Sequence, residues 1–134
     1  MERLWISAIG LLCVWMSGCR AGGAEVSTSV SRPAAVSHVV FFKLRDPADG
    51  ADLLADCDRR LPVIDGVVSY VSGHHLDTGR STVESGYDAA LYIGFDDVDS
   101  YRAYVDDPRH VAMVRDWRDR LEWYQVFDFS DLEP

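Results

Sequence analysis

The sequence predicts an α+β domain: a four-stranded antiparallel sheet with helices on one face. Three observations carry that expectation. Four short segments alternate as strands do, apolar stripes at helical spacing lie between them, and the order along the chain is β-α-β-β-α-α-β. The 134 residues are 48% hydrophobic, enough for one domain with a core of its own. With the last two helices acting as one crossover, the arrangement is ferredoxin-like.

The first strand spans Ser37 to Leu44. His38, Val40, Phe42 and Leu44 point one way; Val39, Phe41 and Lys43 point the other. Both sets are mostly apolar, so something covers each side. Asp46-Pro47 opens a helix over residues 48–61 with Leu53, Leu54, Cys57 and Leu61 as its inward stripe, and Pro62 closes it. Asp65-Gly66 turns the chain into a second strand from Val67 to Leu76. Residues 77–86 form a polar loop. Tyr87 to Phe95 is the third strand, Asp96 and Asp97 cap the next helix, and Trp123 to Phe129 is the fourth strand. No internal repeat is present.

The stretch from Tyr101 to Trp117 holds the chemistry. Val98, Tyr101, Tyr104 and Val105 share one helical face. Asp107 then reads as an N-cap and Pro108 as the first residue of a new helix, where a missing N–H does no harm. His110 falls in the first turn of that helix. It shares a buried face with Met113, Val114, Trp117 and Leu121. A helix N-terminus disfavours a cation, so the imidazole is biased towards its neutral, proton-accepting form. The competing reading is a partly buried histidine bonded to a backbone carbonyl.

Composition excludes several function classes. The formal charge is −9 and no Lys/Arg run occurs, which argues against nucleic acid as a partner. Two of the three cysteines lie within the first 19 residues, leaving only Cys57 in the domain and no disulfide framework. His74 and His75 are neighbours on a strand, so they face opposite ways and no metal site is expected. Gly79 and Gly86 have neither the following helix nor the lysine of a phosphate-binding loop.

The N-terminal region reads as a processing signal. Arg3 precedes an apolar run from Leu4 to Met16 that is short for a membrane span, and Met16-Ser17-Gly18-Cys19 resembles a bacterial lipobox. The expectation is a lipoprotein signal peptide over 1–18, lipidation at Cys19, and a domain outside the cytoplasm, anchored in the cell envelope. Residues 19–36 are small and polar, a tether reaching on the order of 20–25 Å. Residues 131–134 are a tail.

Several motifs together resemble one family. They are His38-Val-Val-Phe-Phe-Lys-Leu-Arg45, Ile64-Asp-Gly66-Val with Gly73 seven residues on, and Tyr87-Asp-Ala-Ala-Leu91. Tyr104, Asp107-Pro-Arg-His110 and Val126-Phe-Asp128-Phe129 complete the set. Over residues 37–130 the chain is similar to the stress-responsive A/B barrel (Dabb) domains. The resemblance implies a dimeric α+β barrel. The family includes the olivetolic acid cyclases of plants, which close a polyketide ring by aldol chemistry without a cofactor. Carried over by motif, it implies His110 as general base, with Tyr104 and His38 beside it.

Three functions follow as expectations. The first is a tethered homodimer binding a small apolar, phenolic or carbonyl ligand. The second is a cofactor-free cyclase or isomerase, and the third a purely structural dimer. The dimer would form through the open sheet face carrying Val39, Phe41, Tyr92, Phe127 and Phe129. The ligand cavity would bring together His38, Tyr104 and His110, with Val40, Phe42, Leu91, Met113, Trp117 and Val126 around them.

Overall fold

The computed structural model describes residues 32–131. The signal peptide, Cys19 and residues 19–31 of the expected tether lie outside the described residues, as do 132–134 of the tail. No described helix is long and apolar enough to cross a membrane.

The fold is ferredoxin-like α+β with one four-stranded antiparallel sheet. Its elements are β1 (Val36–Leu44), α1 (Gly50–Arg60), β2 (Val67–His74), β3 (Ala89–Phe95), α2 (Val98–Asp106), α3 (Pro108–Trp117) and β4 (Leu121–Ser130). The strand order is β2-β3-β1-β4, so β1 pairs on both sides and β4 forms an edge.

Alternation along the strands decides which side chains enter the core. Val40, Phe42 and Leu44 of β1 are buried with Leu91, Ile93 and Phe95 of β3 beneath the helices. Above them, α1 contributes Leu53, Leu54 and Cys57, followed by Leu61 at its C-cap. Cys57 is a buried free thiol, and burial pushes its pKa up to about 12, so it is held as an unreactive thiol.

The helix break at Asp107-Pro108 has a local cause. The Asp107 backbone is extended, its carboxylate accepts from the Arg109 N–H, and Pro108 begins α3. The same carboxylate also binds the Arg109 guanidinium, which holds its pKa down at about 2. Asp97 caps α2 by accepting from the Ser100 N–H. At the turn before β2, Gly66 adopts φ +90 against Ser100, where any Cβ would clash.

Several element ends differ from the sequence expectation. β1 opens at Val36, because Val36 pairs with both Phe95 and Ser130. The expected helix over 48–61 is a 3₁₀ turn at Pro47–Asp49 followed by α1. β2 stops at His74, and β3 starts at Ala89. Asp88 explains the second of these: its carboxylate turns in to accept from the Leu44 N–H and from Lys43 Nζ. β4 starts at Leu121, since a 3₁₀ turn at Arg118–Arg120 sets Leu121 opposite Leu44.

The other face of the sheet is apolar. Val71, Phe127 and Phe129 are more than half exposed there. Tyr87, Phe41 and Phe127 stack edge-to-face in a row, with centroids 4.8 and 6.0 Å apart. His75 packs on Tyr87 at 5.0 Å, whereas His74 turns towards Gly50 of α1. The two imidazoles therefore lie on opposite faces, and no metal-competent cluster occurs among the described residues.

Candidate functional site

A cavity of about 400 Å³ opens between α3, the end of α2 and the β1–β4 half of the sheet. All nine residues expected around it line it. His38, Val40 and Phe42 come from β1, Leu91 from β3, and Val126 from β4. Tyr104 comes from α2, and His110, Met113 and Trp117 from α3. The walls are mainly apolar, and His38, Tyr104 and His110 gather at one end.

Each polar group there has a defined neighbour. The rings of Tyr104 and His110 stand 4.6 Å apart, and His38 meets Tyr104 edge-on at 5.9 Å. His110 is half-buried, and its Nδ1 lies 2.9 Å from the Val105 carbonyl oxygen. A carbonyl only accepts, so Nδ1 carries the proton and Nε2 keeps its lone pair. Burial lowers the His110 pKa, the Val105 hydrogen bond opposes that, and nearby His38 lowers it further. The Val105 bond satisfies one nitrogen of His110, and the other has no hydrogen bond among the described residues.

Tyr104 is almost fully buried, and its hydroxyl takes no hydrogen-bond partner among the described residues. Burial raises its pKa, so the phenol stays protonated and is a donor in waiting. His38 is buried as well, with Nδ1 donating to Asp128 Oδ1 at 2.7 Å. The second oxygen of Asp128 accepts from the Tyr101 hydroxyl at 2.8 Å. The Tyr101 pKa is pushed up to about 12, first by burial and then by that carboxylate.

Sequence reasoning missed Asp128, Tyr101, Tyr124 and Arg118. Asp128 and Tyr124 share the face of Val126 by strand alternation, a signal that was available. Their position opposite His38 and Phe42 comes from the β1–β4 register, which no local pattern displays. Tyr101 sits on the same helical stripe as Tyr104, and Arg118 follows the last turn of α3. On the helix layer's other side, Trp117 Nε1 donates to Asp56 of α1 at 2.9 Å, and Arg120 lies over its ring at 4.0 Å.

Fold and site together define a class. The chain belongs to the stress responsive A/B barrel domain (Dabb) family, whose model matches residues 36–131. Among solved structures it is similar to a Dabb-family protein with a ferredoxin-like fold from Mesorhizobium loti MAFF303099. That likeness is at 26% identity and TM-score 0.61, over 73% of this chain and 97% of that one. It is also similar to a dimeric protein of unknown function with a ferredoxin-like fold from Bacteroides fragilis NCTC 9343. There the identity is 26% and the TM-score 0.54, over 71% and 94%. The hydroxynitrile lyase of Passiflora edulis shares the fold at 17% identity and TM-score 0.62, over 77% and 98%. No curated protein matches the chain.

Proposed function

We propose that this chain is a homodimeric ligand-binding protein of the bacterial cell envelope, anchored through a lipidated Cys19. Its ligand is a small, mainly apolar molecule bearing a carbonyl or phenol, held between sheet and helices. The observation that carries this reading is the cavity itself. Its volume of about 400 Å³ falls within the range of roughly 300–1,000 Å³ usual for ligand pockets. A dimer whose pocket is filled by its own side chains has no such space. The exposed apolar sheet face supports the homodimer, as does the dimeric Bacteroides relative. The lipobox-like Met16-Ser17-Gly18-Cys19 supports the anchor, and fractionation of a Cys19→Ser strain tests it: the protein should leave the membrane fraction and lose its lipid mass.

A second reading is favoured by one observation, the pairing of a lone-pair nitrogen on His110 with a protonated, unbonded Tyr104. In it the protein is a cofactor-free isomerase or aldol-type cyclase, as the resemblance to olivetolic acid cyclase suggests. His110 Nε2 takes a proton from the carbon beside a carbonyl, and Tyr104 donates a hydrogen bond to the enolate oxygen. In isomerisation the imidazolium then delivers the proton to a different carbon of the conjugated enolate. In ring closure the carbon instead attacks a second carbonyl, and the imidazolium protonates the new alkoxide.

One experiment addresses both readings. A panel of aryl ketones and alkylphenols is screened for thermal stabilisation, and the ketones are followed in deuterated buffer by NMR. Saturable stabilisation without exchange supports the binding protein. Exchange that disappears in His110→Ala and weakens in Tyr104→Phe supports the enzyme. A panel that shifts no melting curve and shows no exchange removes both.

A further inference from the structure

The cavity has a second polar end. Arg118 is the only permanently charged side chain among its lining residues. Its guanidinium has no ion pair or hydrogen bond among the described residues. Most of the described arginines behave otherwise: Arg60, Arg109, Arg115 and Arg120, for example, each bind a carboxylate.

Position gives this cation its meaning. Arg118 follows His110 by eight residues, about 12 Å along the axis at the helical rise. The sheet gives a matching span: His38 and Phe42 of β1 are four residues apart, about 13 Å at the strand rise. Register sets Asp128 beside His38 and Tyr124 beside Phe42. The cavity is therefore a slot. His38, Tyr104 and His110 close one end, while Arg118 and Tyr124 border the other.

We infer that the ligand is an elongated monocarboxylate. Its headgroup pairs with Arg118 at the mouth, and its chain runs over Val40, Met113 and Trp117 towards His110 and Tyr104. This rests on the cavity being a ligand site, as proposed above. A guanidinium presents a planar fork that fits a carboxylate in two-point fashion. One unpaired guanidinium balances one negative charge, and a net charge of −9 disfavours a ligand carrying more. At about 1.2 Å per extended bond, a 12 Å slot takes a chain of roughly ten bonds. The alternative role for Arg118 is a solvated cation favouring the C-terminal end of α3, which would give no headgroup preference.

The test compares decanoate with methyl decanoate, equal in chain and different in charge. Calorimetry uses the full chain carrying Cys19→Ser, with and without Arg118→Gln. Decanoate should bind about tenfold more tightly than the ester, equivalent to about 1.4 kcal/mol. In Arg118→Gln the two should bind within about twofold, with Arg118→Lys intermediate. If both probes bind the parent chain equally, the headgroup inference is overturned while the cavity reading stands. A carboxylate preference that survives Arg118→Gln also overturns it, since the anion then sits elsewhere. If neither probe binds, the elongated-chain inference is overturned, while the aryl ketone and alkylphenol panel decides the cavity reading separately.

Discussion

The two faces of the sheet are built from the same alternating strands, yet they are finished differently. Val126 and Phe127 are consecutive residues of β4, 42% and 53% exposed. Val126 edges a concave slot whose far wall is α3, with two imidazoles and a phenol at its end. Phe127 stands in an aromatic row with Phe41 and Tyr87, without a helix above it. Similar exposure therefore has two meanings. On the concave face it borders the cavity in which the proposed ligand would sit, and on the open face it marks surface that a second copy can cover.

Breaking the open face should give the largest effect. Phe127→Glu places two like charges in the proposed interface, each unpaired and desolvated at a cost of about 3–5 kcal/mol. The wild-type protein should be a dimer by light scattering and the variant a monomer of similar secondary structure. A wild-type protein that stays monomeric at high micromolar concentration would remove the distinction between the faces.

The helix face can be divided further. Leu53 is fully buried in its packed half, and Leu53→Ala should cost about 3–5 kcal/mol in urea unfolding. Val126→Ala, at the lip of the slot, should cost less than about 1 kcal/mol because its site is already open. Equal costs would mean that the slot is as tightly packed as the core. Trp117 joins the two halves, so Trp117→Phe should cost about 1 kcal/mol through loss of the bond to Asp56. Asp56 keeps Arg59 and Arg60 as partners, which limits the loss.

The smallest effect is in the pH dependence of stability. Burial holds the His110 pKa below its unfolded value, so the unfolded chain binds more protons over the interval between the two. The stability is complete above the unfolded value of about 6.5 and declines as pH falls towards the folded one. His110→Gln should flatten that part of the unfolding profile and leave it unchanged above pH 7. A decline of the same steepness in the variant would assign it to another group.

Local chemistry alone determined much of this molecule. The alternation of residues 38–44, the stripe Leu53, Leu54, Cys57 and Leu61, and the Asp107-Pro108 break are consequences of near neighbours. Strand and helix periods and a cap act over a few residues, so they are readable in the chain. They also placed His38, Tyr104 and His110 on inward faces. Tertiary structure decided the rest. Asp128 reaches His38 only because β4 pairs with β1 in one register across 90 residues. Asp88 set the start of β3 by bonding Leu44, 44 residues away. Whether the inward groups meet in a hollow or a packed core depends on how far α3 stands from the sheet. That distance is set by the summed volumes of side chains from five elements, and no segment of the sequence holds that sum.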